Sequence, residues 1–164
     1  AEAIAKVINT NYSKLHDLIV NTYLLHHSEQ TINPDSYFLR YPDAPRKRII
    51  ALPAHIGGDT NVSGIKWIAS NPANIDIGIQ RASAVLILND GETGFPFACL
   101  ESGIISATRT VISAVASLYY LNSKQNNVGR IGIIGNGFIA RNFVDALHAM
   151  NWNIEGISLF DLNP

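Results

Sequence analysis

The sequence predicts an α/β protein in two parts: an α+β layer over residues 1–124, then a differently patterned segment over 125–164. Three observations predict it. Apolar residues recur at three- and four-residue steps near the start. Short strand-like runs separated by turn residues fill 37–100. From residue 128 a buried-strand run leads straight into a glycine-rich turn.

The elements follow in order. Ile4, Val7, Ile8, Leu15, Ile19 and Leu24 mark an amphipathic helix over 3–25, weakened in its middle by Asn9 to Asn11. Asn33-Pro34-Asp35 is a turn, residues 37–40 a short strand ending on Arg40, and 41–45 a proline-bearing loop. Residues 48–52 form a strand expected to stop at Pro53. Gly57 to Thr60 then turn into a second strand, 62–68, which places Val62, Gly64, Lys66 and Ile68 on one face. Asn71-Pro72 breaks that strand, and 82–88 is a continuous apolar strand. The turn 89–94 returns the chain along 95–100, and 101–121 is a long, Ala-rich helix whose only cation is Arg109.

Composition narrows the function. The 164 residues suit about one domain, and 47% apolar with 15% charged is a globular balance. Twelve Lys+Arg against thirteen Asp+Glu give a net charge of −1, which leaves no positive excess for nucleic acid. A single cysteine, Cys99, excludes an internal disulfide and a multi-cysteine metal site; in its strand it reads as packing. His16, His26 and His27 read as surface histidines, not metal ligands. No signal-peptide pattern opens the sequence, and charges or Asn interrupt each apolar run before ~18 residues. A soluble, cytoplasmic protein with no metal, no nucleic-acid partner and no membrane partner is expected.

Residues 124–127 are polar punctuation, and beyond them the pattern changes. A strand over 128–134 runs into Gly135-Asn136-Gly137-Phe138-Ile139-Ala140, a helix over 141–150 and a second strand over 154–160 ending at Asp161. This is G-x-G-x-x-A in strand–turn–helix–strand context, the opening of a Rossmann dinucleotide-binding domain. Gly135 permits the tight turn, Gly137 admits a pyrophosphate, and Ala140 allows close helix–strand packing. The pyrophosphate would sit on the helix N-terminus, against Phe138 and Ile139, where free N–H groups and the helix dipole favour anions. Asp161, 26 residues after Gly135, would accept hydrogen bonds from an adenosine ribose and repel a 2′-phosphate, which favours NAD over NADP. The alternatives are an ordinary strand–helix turn and a solvated strand-end acid. Two parallel strands and one helix do not close a sheet, so the sequence is expected to be a fragment whose second domain continues past Pro164.

Several stretches resemble the ornithine cyclodeaminase/μ-crystallin family: GIKWIAS (64–70), LILNDGETGFPFACLES (86–102), SATRT (106–110) and IGIIGNGFIA (131–140). Within it, YFLRYPD (37–43), RIIALPAHIGGD (48–59), SGIKWIAS (63–70) and RASAVLILND (81–90) are similar to the NAD-dependent dehydrogenases that form 2,3-diaminopropionate. The resemblance implies an enzyme of siderophore or antibiotic biosynthesis. It would oxidise N-(1-amino-1-carboxy-2-ethyl)-glutamate and release 2-oxoglutarate and L-2,3-diaminopropionate. It also implies a substrate-binding and dimerisation domain over 1–124, a homodimer, and a small amino-acid substrate. Ornithine cyclodeaminase, imine reductase and non-catalytic cofactor-binding activities are the family alternatives.

By position, the resemblance makes Lys66 and Arg109 catalytic and substrate-binding, adds Arg40 as a carboxylate ligand, and places Arg109 also beside the cofactor. The residue chemistry agrees, since a polycarboxylate substrate needs fixed cations and a guanidinium grips a carboxylate bidentately. Plainer readings stand beside each. Lys66 would snorkel to solvent, Arg109 in its apolar helix would be a structural ion pair, and Arg40 would be a surface cation. Arg81, Ser83 and Thr108 are read either as substrate contacts or as surface and capping residues, and His55 as a cleft residue or a bonded loop histidine. The strand before Pro53 offers Ile49, Ile50 and Ala51 where the cyclodeaminases carry an acid, which argues against ornithine. The family's aspartate near the reacting centre would lie beyond residue 164.

Overall fold

A computed structural model describes residues 2–162. The elements are α1 (Glu2–Asn9), α2 (Tyr12–His27), β1 (Thr31–Ile32), β2 (Tyr37–Arg40), β3 (Arg48–Ile56), β4 (Val62–Ser70), β5 (Ala82–Asp90), β6 (Pro96–Glu101), α3 (Gly103–Leu121), β7 (Asn127–Ile134), α4 (Phe138–Ala149) and β8 (Asn153–Phe160). The expected first helix is two helices. The break falls where Thr10 and Asn11 turn their side chains onto the carbonyls of Lys6 and Val7, competing with the backbone ladder.

The chain forms two compact units. One spans Thr22–Gly103; the other takes α1, the first part of α2, α3 from Ile104, β7, α4 and β8. The polar punctuation at 124–127 therefore lies inside the second unit, between α3 and β7.

In the first unit, β3, β4, β5 and β6 are successive antiparallel neighbours, with β1 and β2 sharing the outer edge of β3. Pro53 does not end β3, contrary to the sequence expectation; it pairs with Ile65 and the strand runs on to Ile56. The reason is local. β2 covers β3 only up to Ala51 and β1 only from His55, so at Pro53 the outer edge is bare and a missing N–H breaks no bond on that side. Register fixes the two faces. Tyr37, Leu39, Trp67, Val85 and Cys99 stand on one, all of them exposed. Arg40, Arg48, Lys66, Ala84 and Leu100 stand on the other, where Ala84 is buried. Cys99 is thus not packing, because it shares the open apolar face.

In the second unit, β7 and β8 pair in parallel, Asn127 with Asn153 through Ile134 with Phe160. Its core joins Val111, Ile112 and Val115 of α3 to Ala146 and Leu147 of α4 and to Trp152. Tyr12, Leu15 and Ile19 of α2 and Val128, Ile131 and Ile154 of the strands pack against it. Burial, then the charge of Asp145, raises the pKa of the Tyr12 phenol. Helix α3 is long and apolar enough to cross a membrane by length and composition. Its buried residues are Ala107, Thr108, Val111, Ile112, Val115 and Ala116, of which Val111, Ile112 and Val115 lie in this core, as in a core helix of a globular protein.

Candidate active site

The glycine-rich turn is built from the backbone. Gly135 adopts φ +94°, a conformation that L side chains rarely take. Its N–H donates to the Phe160 carbonyl at 2.7 Å, which ties the turn to the end of β8. Gly137 then acts as N-cap of α4 in an extended conformation, with no side-chain cap. Helix α4 therefore begins at Phe138, three residues before the expected start, because the second glycine leads directly into it. The first intrahelical bond, Arg141 N–H to Gly137 carbonyl, is 3.2 Å, and N–H groups of an uncapped first turn are anion donors. A Cβ at Gly135 or Gly137 would meet nothing within 4 Å, so the space over the turn is open. Phe138 and Ile139, about half exposed, border it. These features fit a dinucleotide pyrophosphate.

Asp161 stands at the end of β8 and accepts a 2.5 Å hydrogen bond from the Asn136 N–H through Oδ2. No local sequence pattern signals this second duty, since the two residues are 25 apart. A carboxylate has about four lone-pair sites, so holding the turn is compatible with accepting a ribose hydroxyl as well.

Arg109 is exposed on α3, opposite the buried stripe. The burial argument raised for it from sequence therefore fails: helical spacing turns 109 to solvent while 107, 108, 111 and 112 face the core. It forms no ion pair among the described residues. Thr108 is 5% exposed, and its hydroxyl has no hydrogen-bond partner among the described residues; it is neither a surface nor a capping residue.

Two of the candidate cations, Arg40 and Lys66, are in the six-stranded sheet. Lys66 is half-buried on β4, between Leu52 of β3 and Leu86 of β5. Gly64, two residues before it on the same face, is required sterically, since a Cβ there would come within 2.6 Å of the Ile87 carbonyl oxygen. Arg40, at the end of β2, is exposed and lays its guanidinium 4.9 Å from the Phe38 ring centroid. Arg40 and Lys66 thus share a sheet face, while Arg109, the glycine turn and Asp161 belong to the other unit. Arg81 and Ser83 are exposed. His55 is a strand residue, not a loop one: its Nδ1 lies 3.0 Å from the Ser63 hydroxyl, and both line a hollow of about 280 Å³ with Pro53 and Asn89.

The family model for "Ornithine cyclodeaminase/mu-crystallin family" matches residues 7–164. A Staphylococcus aureus N-((2S)-2-amino-2-carboxyethyl)-L-glutamate dehydrogenase is 34% identical over 92% of this chain and 46% of its own. Among solved structures, a Thermococcus litoralis Δ1-pyrroline-2-carboxylate reductase in complex with NADH and L-proline superposes with TM-score 0.84 at 25% identity. The match covers 93% of this chain and 46% of that one. An archaeal alanine dehydrogenase dimer with bound NAD gives TM-score 0.80 at 26% identity, over 93% and 45%. The chain spans about half the length of the relatives it matches. Its fold is the α/β fold of those enzymes, and the chain belongs to the ornithine cyclodeaminase/mu-crystallin family.

Proposed function

We propose that the chain serves an NAD-dependent dehydrogenase that oxidises the secondary amine of N-((2S)-2-amino-2-carboxyethyl)-L-glutamate. The observation that carries the cofactor is the uncapped N-terminus of α4 behind the Gly135–Gly137 turn, with Asp161 at the adjacent strand end. The substrate is supported by the staphylococcal relative and by the cations Arg40 and Lys66 on one sheet face. Residues 125–164 are read as the opening of the dinucleotide-binding domain, and 1–124 as the substrate and dimerisation domain.

Backbone N–H groups of Phe138 and Ile139 receive the pyrophosphate, and Asp161 receives the adenosine ribose. Bound NAD supplies the hydride acceptor. On the sheet, Lys66 and Arg40 would hold substrate carboxylates, a task of orientation and charge; on α3, Arg109 is read as a further substrate and cofactor contact. Loss of the glutamyl Cα hydride and of the amine proton leaves a C=N bond. Water adds to it, the C–N bond breaks, and 2-oxoglutarate and L-2,3-diaminopropionate separate. We assign the reaction to the cytoplasm and to diaminopropionate supply for siderophore or antibiotic assembly.

The full-length protein incubated with NAD and this substrate should develop NADH absorbance together with both products. Absent NADH, with proline formed from ornithine or pyrroline-2-carboxylate reduced by NADH, would replace this reading with another family activity. Tight NAD binding with no product would indicate a binding protein instead. The exposed face of Tyr37, Leu39, Trp67 and Val85 supports pairing with a second copy, since large apolar patches mark interfaces. Trp67→Glu should then halve the mass seen by light scattering, whereas an unchanged dimer mass would exclude that face.

A further inference from the structure

The sheet face that carries Lys66 holds a second arginine that the proposed reaction has not used. Arg48 of β3 lies directly opposite Arg40 of β2, and its other neighbour is Ser70 of β4. Even spacing along the strands puts Arg40, Arg48 and Lys66 on the same face. Like charges directly opposite each other on one face destabilise a sheet. Neither guanidinium has a carboxylate partner among the described residues, where the recorded ion pair is His16–Asp17.

The Arg40 side chain lies along this face. Its guanidinium lies over Phe38, which is opposite Ile50, so it leans along the strand toward the Leu52–Lys66 row. Alternate residues on one face are about 6.6 Å apart along a strand, and Lys66 lies two such steps from the Arg40–Arg48 row. The face therefore carries two arginines opposite each other at one end and a lysine further along. Two planar forks suit a carboxylate bidentately, and an anion brought from outside would relieve their repulsion.

We propose that Arg48 determines specificity: with Arg40 it forms a cross-strand guanidinium clamp for the far carboxylate of a dicarboxylate arm, leaving a nearer carboxylate to Lys66. The glutamyl arm of the proposed substrate is such a dicarboxylate, so the assignment rests on that reading for its natural ligand. The clamp's own content is wider, namely selection of dicarboxylates over monocarboxylates.

The test uses the full-length protein saturated with NAD and compares the wild type with Arg48→Gln and Arg48→Lys. Glutarate is the calorimetric probe, acetate the monocarboxylate control, and NAD affinity the check on folding. Losing a charge-assisted bidentate contact should weaken glutarate roughly 10- to 100-fold in Arg48→Gln, with acetate and NAD affinity unchanged and partial recovery in Arg48→Lys. KM for the proposed substrate should rise by a similar factor while kcat stays within about twofold. Equal glutarate affinity in wild type and Arg48→Gln overturns the clamp, as does a wild type that does not bind glutarate. A parallel loss of NAD affinity would show a structural role and overturns it as well. Arg48-dependent glutarate binding without turnover of the proposed substrate upholds the clamp and overturns only the reaction.

Discussion

The β7–α4–β8 segment and the six-stranded sheet build their shares of the candidate site in opposite ways. The first uses backbone: a glycine at φ +94°, an uncapped helix N-terminus and a carboxylate that holds the turn. The second uses side chains, cations projected from neighbouring strands in a fixed register. A backbone site is damaged by adding atoms, a side-chain site by removing them.

The largest effect is expected from removing a cation. Lys66→Ala should lower kcat/KM for the proposed substrate by about 100-fold or more, as for loss of a substrate-positioning group, with little change in NAD affinity. Steady-state kinetics with NAD varied separately checks it, and an equal loss of NAD affinity would blur the division between the two regions.

Adding atoms to the turn comes next. Gly135→Val places a β-branched residue at φ +94°, with backbone strain of about 1–3 kcal/mol although its Cβ would meet nothing. The urea midpoint should fall accordingly. An unchanged midpoint would mean that the turn relaxes to another conformation.

The smallest effect concerns the turn between β5 and β6. Asp90 Oδ1 accepts from the Thr93 hydroxyl at 2.6 Å, the Thr93 N–H at 2.8 Å and the Glu92 N–H at 3.3 Å. The Thr93 side-chain bond, then the Thr93 N–H, lowers its pKa below the ordinary 3.8. A depressed folded-state pKa gives stabilisation that is full above the ordinary value and fades as pH falls through the depressed one. The protection factor of the Thr93 amide should therefore fall only below about pH 3.8. In Asp90→Ala it should already be low at neutral pH, and a wild-type protection factor that does not change with pH would contradict the cap.

The two regions also differed in how far the sequence revealed them. Local signals sufficed for the turn: two glycines, a preceding apolar run and an acid at the next strand end. Strand existence was legible from alternation and turn residues, so β2 and β7 fell where expected. Pro53 misled because its tolerance depends on where β1 and β2 leave the edge of β3 uncovered. Arg109 misled because an apolar helix has an outside as well as a core face. Arg48 was passed over because facing Arg40 is a matter of pairing across a loop, which no local pattern encodes. The Asp161–Asn136 bond was hidden for the same reason, since it joins residues 25 apart.

The division of labour is tested most directly by the NAD dissociation constant of two variants of the full-length protein, measured side by side. Gly137→Val crowds the approach to the α4 N-terminus and should weaken NAD by roughly 100-fold, as for the loss of two charge-assisted hydrogen bonds. Arg40→Gln, on the sheet, should leave NAD affinity within about twofold of wild type. Wild-type affinity in Gly137→Val, or an equal loss in Arg40→Gln, would contradict a cofactor site built from the turn's backbone.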